Sequence, residues 1–279
     1  MGLSVNTNVA AMVALQNLNA STRELEVTQQ RVSTGLKVMG AKDNASSYAI
    51  AQGIRGDIGA LGAITSSLNR AKSISDVALA GGESISDLLI QMKEKAFGAV
   101  DPSLDTQARA ALNEDFKALR SQIDLIVRNS KFDGANLMDG SIAAPGIQIL
   151  ADADATNAIT LAPEDMSVSG SIVTISSTAN LSTLTAASVA LSLVNASQQN
   201  VTSALARLGS TGKKIDAHLV FVSKLHDALT GGIGNLVDAD MAVESAKLQA
   251  LQIKQQLGTQ SLAIANTAPQ AVLSLFQGG

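Results

Sequence analysis

Residues 194–229 have the sequence VNASQQNVTSALARLGSTGKKIDAHLVFVSKLHDAL. Every seventh position of this stretch is apolar: Val194, Val201, Leu208, Ile215, Val222 and Leu229. A seven-residue apolar repeat puts one row of side chains on a single helix face and is typical of helices that pack side by side. The stretch therefore predicts a long coiled-coil-like helix, and we expect the glycines of Gly231-Gly232-Ile233-Gly234 to end it.

The same repeat occurs before this stretch. Residues 61–96 carry two apolar rows in register, which predict a helix roughly 54 Å long at 1.5 Å per residue. Asp101-Pro102-Ser103 ends that pattern, because proline cannot continue a helix interior but can open the next helix. Apolar residues from Leu112 to Ile126 then follow one stripe of a third helix.

The middle of the chain has a different pattern. Ile147-Gln148-Ile149 and Ile159-Thr160-Leu161 alternate apolar and polar residues around a turn-rich segment, which predicts a β-hairpin. We expect residues 168–175 to continue the strand pattern. Ser or Thr occupies 11 of the 22 positions in 167–188, which predicts an exposed tip, and the composition leaves open whether its hydroxyl groups are glycosylated. The predicted fold is mainly α, a long coiled-coil-like helical bundle with a small β-hairpin region in the middle of the chain.

Composition excludes several classes of protein. With 24 acids against 20 bases, the net charge of -4 provides no general basic face for nucleic acid or an anionic membrane. The absence of Cys removes disulfides, thiolate zinc sites and cysteine nucleophiles. No apolar run approaches the ~18 residues of a membrane span, and the first residues lack the basic and apolar regions of a cleaved signal peptide.

Motifs for catalysis or ligand binding are also missing. Gly209-Ser210-Thr211-Gly212-Lys213-Lys214 has the wrong glycine spacing for a phosphate loop and lacks the hydroxyl residue that would hold magnesium, so we interpret it as helix surface. His218 and His226 are the only histidines and lack zinc-site spacing. The acidic pairs 152/154 and 238/240 fit turn and cap chemistry. We therefore predict no catalytic, cofactor or metal site.

Both chain ends carry apolar stripes without aromatic anchors. Full burial of one Leu, Ile or Val is worth ~1.5–3 kcal/mol, whereas association costs an estimated ~4–15 kcal/mol plus the ordering of the segments. Roughly ten such side chains could together contribute more than about 15 kcal/mol, so assembly is favourable only when many contacts form at once. We expect terminal segments that are mobile in the monomer and helical in a multimer.

Motifs at both ends and in the middle carry a resemblance to a known family. Val5-Asn6-Thr7-Asn8 and Arg31-Val32-Ser33-Thr34-Gly35-Leu36 resemble the N-terminal signature of bacterial flagellins. Asp238-Ala239-Asp240-Met241-Ala242 and the segment 269–276 resemble their C-terminal signature. Phe132-Asp133-Gly134-Ala135-Asn136-Leu137 is similar to the turn that precedes the family's hairpin.

The resemblance implies a structural subunit that polymerises into the flagellar filament and is not an enzyme. It implies extracellular localisation after type III export without a cleaved signal peptide. The implied partners are copies of the chain, sister flagellins, cap and hook–filament junction proteins, an export chaperone and the export apparatus. Segments 1–45 and 236–279 would form the inner filament core, 46–130 and 186–235 the helical rod, and 131–185 the hairpin and tip. A hook–filament junction protein, or an enzyme or sugar-binding module, remain the alternatives.

Two sets of residues are predicted to act in recognition. The heptad rows predict a polymerisation seam, within and between subunits, that consists of Leu15, Leu18, Leu25, Val32, Leu36, Val243, Ile253, Leu257 and Ile264. The second set is a stretch that an innate immune receptor recognises in many flagellins. Here it comprises Leu89, Gln91, Lys93, Glu94 and Lys95, with Gln91 in place of the family's Arg and Lys95 in place of its Leu. We expect a weak receptor response, because an amide lacks the donors of a guanidinium.

Overall fold

The computed structural model describes residues 7–277, with side chains described for residues 7–267. In this range the chain forms α1 (Val9–Thr34), α2 (Ala45–Ala99), α3 (Thr106–Asn129), β1 (Ile147–Leu150), β2 (Ala158–Leu161), α4 (Leu184–Val237) and α5 (Met241–Gln277). The mainly α prediction is confirmed. The chain divides into two compact units: unit 1 comprises the chain up to Gly56 and from Ala228 onward, and unit 2 comprises Asp57–Asp227.

Unit 1 contains the two terminal helices, α1 and α5, and a side chain caps the N-terminal end of each. The Asn8 side chain accepts a hydrogen bond from the backbone of Ala11 at 3.0 Å, and Asp240 accepts one from Ala242 at 2.9 Å. Both oxygens satisfy backbone N–H groups that the first helical turn leaves free. Helix α1 ends at Gly35, whose φ of 72° favours glycine because it has no Cβ. The cap role expected for the 238/240 pair is thus confirmed at Asp240.

Backbone hydrogen bonds join the end of α1 to the start of α5. Ala239 donates its N–H to the carbonyl of Gly35 at 2.8 Å, and Lys37 donates to Val237 at 2.7 Å. Beside these bonds, Val38, Ala51 and Val237 form a small buried cluster. These contacts hold the end of α1 next to the start of α5.

Unit 2 has its core between the helices. Five of the six positions in the heptad row of α4 are buried, since Val194, Val201, Leu208, Ile215 and Val222 are at most 3% exposed, whereas Leu229 is half-buried. The facing part of α2 buries its own heptad rows, consisting of Leu61, Ile64, Leu68, Ala71, Ala78, Ile85, Leu89, Met92 and Ala96. These small and aliphatic side chains allow close packing without aromatic residues.

Two contacts show that these segments of α2 and α4 run antiparallel. Lys72 Nζ lies 2.6 Å from Asp216 Oδ1. Ten residues further along α2, a Cβ built on Gly82 would lie only 2.7 Å from Leu205 Cδ2. Because the α2 number rises as the α4 number falls, the two helices run in opposite directions, and glycine at position 82 permits their close approach.

The predicted hairpin is confirmed. Strands β1 and β2 pair antiparallel, with Ile147 opposite Leu161 and Leu150 opposite Ala158. The carboxylate of Asp152 organises the connecting turn by accepting hydrogen bonds from the Thr156 hydroxyl and the Asn157 amide. These bonds hold the pKa of Asp152 at about 2, below its ordinary value.

The segment after the hairpin differs from the prediction. Residues 168–175 form no strand, and Ile172, Val173, Ile175 and Leu181 are buried within unit 2. The backbone N–H of Leu181 donates to Asn113 Oδ1 at 2.7 Å. The high Ser/Thr content of the segment led to the prediction of exposure, although apolar residues are interspersed in it. Burial of these apolar residues offsets the entropy cost of ordering the loop. The strand expected for residues 168–175 is therefore absent, and the segment expected to form an exposed tip includes these four buried residues.

The glycines at 231–234 do not end α4, which continues to Val237. Each glycine costs a helix about 1 kcal/mol relative to Ala, but burial of Val237 and its backbone bond to Lys37 favour the longer helix. The break at 101–103 is confirmed, although Asp105, rather than Pro102, caps α3 by accepting a bond from Ala108 at 2.6 Å.

Candidate assembly surface

Helices α1 and α5 form an antiparallel pair in a fixed register. Near one end, Asn8 donates a side-chain hydrogen bond to the carbonyl of Ala265 at 2.7 Å. Further along, Leu18 packs against Gly258, where a Cβ would lie 3.1 Å from Leu18 Cδ1. Near the other end, Arg31 Nη1 lies 3.0 Å from Glu244 Oε1. The sum of the paired residue numbers stays nearly constant, as an antiparallel register requires.

Each helix presents one heptad row to the other, and we call these the inner rows. Their members are buried or half-buried and are spaced alternately by three and four residues. The inner row of α1 consists of Ala11, Ala14, Leu18, Ser21, Leu25, Thr28 and Val32. The inner row of α5 consists of Glu244, Leu248, Leu251, Gln255, Gly258, Leu262 and Ala265.

Each helix also carries exposed apolar side chains, which we call the outer rows. The outer row of α5 consists of Val243, Ala246, Ala250, Ile253, Leu257 and Ile264, whose four large members are 57–65% exposed. The outer row of α1 consists of Val9, Met12, Val13 and Val27, which are 40–66% exposed. At 3.6 residues per turn, each outer row lies on the face nearly opposite the inner row.

The predicted seam divides between these rows. Leu18, Leu25 and Val32 lie on the inner row of α1. Leu36 lies beyond the helix, where its backbone forms an isolated antiparallel β-bridge with that of Asp238. The other members are exposed in the single chain: Leu15, Val243, Ile253, Leu257 and Ile264. The seam was predicted within and between subunits, and the exposure of these four α5 residues in the single chain leaves their contact between subunits as a prediction. The heptad repeat identified the outer row of α5 but could not indicate which face of the helix contacts α1.

A polar contact that was not predicted from the sequence lies inside this pair. Glu244 is 8% exposed and Thr28 only 1%, although both are polar residues on the inner rows. Among the residues that the structure describes, Thr28 Oγ1, Arg31 Nε and Glu244 Oε2 are buried without a hydrogen-bond partner. A charged residue in an apolar heptad row was the available signal, since such residues often fix helix register.

The stretch associated with receptor recognition lies on α2. Leu89 is fully buried, whereas Gln91, Lys93 and Glu94 are exposed. Lys95 Nζ lies 2.7 Å from Asp115 Oδ2 on α3, and this hydrogen bond raises the pKa of Lys95. The substituted position 95 is therefore occupied by a cation that already has an acidic partner within the chain.

The remaining motifs occupy structural positions. Residues 209–214 lie within α4, as expected. His218 Nε2 lies 2.6 Å from the carbonyl of Ala151, where it holds the end of β1 against α4. Across residues 7–267, no cluster of three or more His, Cys, Asp or Glu side chains is arranged to hold a metal ion. The described helices also include none that is long and apolar enough to cross a membrane.

Comparison with known proteins agrees with this architecture. The model of the bacterial flagellin N-terminal helical region matches residues 5–143, and that of the C-terminal helical region matches residues 191–276. Flagellin FljJ of Caulobacter vibrioides is 45% identical over 283 residues, covering 100% of both chains. A flagellin of Brucella melitensis is 34% identical over 284 residues, covering 99% of each.

A solved structure supports the fold alone. It is described as a flagellar hook-associated protein from Vibrio parahaemolyticus, is 14% identical, and has a TM-score of 0.53 over 70% of this chain and 100% of that chain. The two terminal models, the full-length identity and the paired terminal helices lead to the same assignment. The chain belongs to the bacterial flagellin family.

Proposed function

We propose that this chain is the structural subunit of a bacterial flagellar filament and polymerises through its terminal helices. The observation that carries this proposal is the pair of outer rows, which expose large apolar side chains after α1 and α5 have already packed on each other. Soluble monomers rarely expose apolar rows of this length without a partner. The family is structural, so the chain is not an enzyme.

The energies of the outer rows fit cooperative assembly. At ~1.5–3 kcal/mol for full burial, covering the exposed part of the four large α5 residues contributes about 4–7 kcal/mol. The four α1 residues contribute about 3–7 kcal/mol by the same reasoning. Their sum of about 7–14 kcal/mol is similar to the estimated association cost of ~4–15 kcal/mol. One contact is therefore marginal, and growth requires several contacts at once.

The proposal extends to location and partners. Filament assembly places the chain on the bacterial flagellum, with copies of itself and sister flagellins as neighbours. We further propose export without a cleaved signal peptide through the flagellar export apparatus, with an export chaperone, and contacts with cap and hook–filament junction proteins. The segments 1–45 and 236–279 would form the inner core, 46–130 and 186–235 the rod, and 131–185 the outer hairpin region.

Full-length identity to flagellins favours a filament subunit over a hook–filament junction protein. The chain is 45% identical to a flagellin along its entire length, whereas its likeness to the hook-associated structure is limited to the fold. Addition of the purified chain to cells that retain hooks and junction proteins but lack flagellin distinguishes the two roles. A filament subunit grows long fibres there, whereas a junction protein adds only a short segment.

The direct test is seeded polymerisation followed by electron microscopy. We expect the full chain to form fibres, and chains that lack residues 1–20 or 260–279 to keep a helical core without polymerising. A point variant makes the test sharper: Leu257→Ser removes one outer-row side chain, and Gln256→Ser changes the adjacent exposed residue as its control. Normal fibre growth by Leu257→Ser and by both truncated chains would contradict the proposal.

A further inference from the structure

We infer that Met12 is an oxidation site that controls assembly: a peroxide converts its thioether to the sulfoxide and thereby blocks growth of the polymer, and reduction restores growth. This inference rests on the proposed polymerisation and adds a reversible chemical switch to it. It requires only that the outer row of α1 becomes covered in the polymer, whichever surface covers it.

Methionine supplies all of the sulfur in this chain, which contains seven Met and no Cys. A peroxide therefore meets no thiol, and the thioethers are its principal targets on the protein. Met12 and Met241 are 62% and 43% exposed, and Met39 is half-buried. The other methionines that the structure describes are fully buried in unit 2: Met92, Met138 and Met166. Oxidation is thus directed to Met12 and Met241, of which Met12 is the more accessible.

Met12 lies among apolar neighbours on an ordered helix. Its backbone N–H donates to the carbonyl of Asn8 at 3.1 Å, in the first turn of α1. Val9 and Val13, beside it in the outer row, are 66% and 51% exposed. Residues 9–22 contain no charged side chain. Oxidation therefore places a polar oxygen among exposed valines, on a stretch without an ionic group to stabilise it.

The reaction is a two-electron transfer of oxygen. One oxygen atom of hydrogen peroxide forms a bond to the Met12 sulfur as the O–O bond breaks, and the other leaves as water. The sulfide is oxidised to the sulfoxide while the peroxide is reduced. Methionine sulfoxide reductases reverse the change with a dithiol, which becomes a disulfide as the oxygen leaves as water.

The sulfoxide opposes assembly because it is polar where the thioether is apolar. Its oxygen accepts hydrogen bonds from water, and a second copy that covers Met12 removes them. The unoxidised side chain has no such cost and is flexible enough to fill an irregular contact. We therefore expect one sulfoxide at this position to slow fibre growth by at least about tenfold.

Seeded growth of the full chain after treatment with hydrogen peroxide tests the inference. Mass spectrometry of peptides measures the oxidised fraction at each methionine, and electron microscopy with light scattering measures fibre growth. Met12→Leu removes the reactive sulfur and keeps an apolar side chain of similar volume. Met241→Leu is the matched control, because Met241 is also exposed but lies outside both outer rows.

We expect peroxide to slow growth of the unchanged chain and of Met241→Leu by at least about tenfold, and to leave Met12→Leu growing at its untreated rate. Incubation of the oxidised monomers with methionine sulfoxide reductases and a dithiol should restore growth. In fibres that have already formed, Met12 should be oxidised at least about tenfold more slowly than in the monomer, because the polymer covers it.

The outcomes separate this inference from the proposed function. If the untreated chain forms no fibres with seeds, the proposed function fails and the inference fails with it. If fibres form but chains fully oxidised at Met12 grow at the untreated rate, or if peroxide slows Met12→Leu as much as the unchanged chain, the inference alone fails. Amide hydrogen exchange of α1 in the oxidised monomer provides the last control. Unchanged protection together with slow growth supports the inference, whereas loss of protection along α1 overturns it, because the helix rather than its surface is then affected.

Discussion

Removal of one partner from the Arg31–Glu244 pair should destabilise the terminal helix pair by an amount that depends on which partner remains. The Glu244 side chain is 10% exposed and that of Arg31 is 25% exposed. Arg31→Met leaves a nearly buried carboxylate without a counter-ion, for which we expect a loss of about 3 kcal/mol. Glu244→Leu leaves a guanidinium that reaches water more easily, so we expect about 1–2 kcal/mol.

The double variant Arg31→Met with Glu244→Leu tests the origin of these losses. Apolar replacement of both partners removes the two buried charges together, so its stability should lie within about 1 kcal/mol of the unchanged chain. Glu114→Ala is a matched control because it breaks the exposed pair with Lys117, which should cost less than about 0.5 kcal/mol.

Amide hydrogen exchange of α1 and α5 in the monomer measures these differences. When opening and closing are fast compared with the exchange step, the exchange rate follows the opening equilibrium, so a loss of about 3 kcal/mol corresponds to roughly 150-fold faster exchange. The reasoning is refuted if Arg31→Met has no more effect than Glu114→Ala. It is also refuted if the losses of the two single variants simply add in the double variant.

Three further predictions concern other positions. Gly258→Val should weaken the α1–α5 pair by about 1–3 kcal/mol, because even a Cβ lies 3.1 Å from Leu18, and exchange of α1 amides measures the loss. The pKa of Asp152 is about 2, below the ordinary value of 3.8, so the stabilisation of the turn by its carboxylate is fully present above pH 3.8 and is lost as the pH falls through about 2. NMR shifts of the turn amides should therefore change over that pH interval, and Asp152→Ala should abolish the change. Cells that report innate-receptor signalling should respond weakly to this chain, and Gln91→Arg with Lys95→Leu should increase the response; an equal response to both chains contradicts the receptor hypothesis.

Periodicity predicted the long helices because a buried row must recur with the helical period. In α4 the row from Val194 to Val222 is buried as a continuous core. The spacing of apolar residues in the sequence therefore matches the spacing that burial of one helix face requires. The hairpin was equally predictable from the sequence, since strands that bury only one face must alternate apolar and polar residues.

The inner face of α5 could not be derived in the same way. Leu, Ile or Val side chains occur on two opposite faces of α5, and Glu244 and Gln255 on the inner row make that face more polar than the exposed one. The choice depends on α1, through the register set by Asn8, Leu18 and Arg31. Local glycine preference likewise failed at the end of α4, because distant backbone partners determine where that helix stops.

The backbone connection between Gly35 and Ala239 has a mechanical consequence. In an antiparallel pair, tension that pulls Asn8 away from Ala265 loads the inter-helix contacts one after another, as in peeling, instead of all at once. The side-chain contacts near Leu18 and Arg31 give way in turn at low force, and the main-chain bonds at Gly35 are loaded last. Such a pair can be dismantled residue by residue from its free ends, while sideways shear, which strains every contact simultaneously, meets far greater resistance.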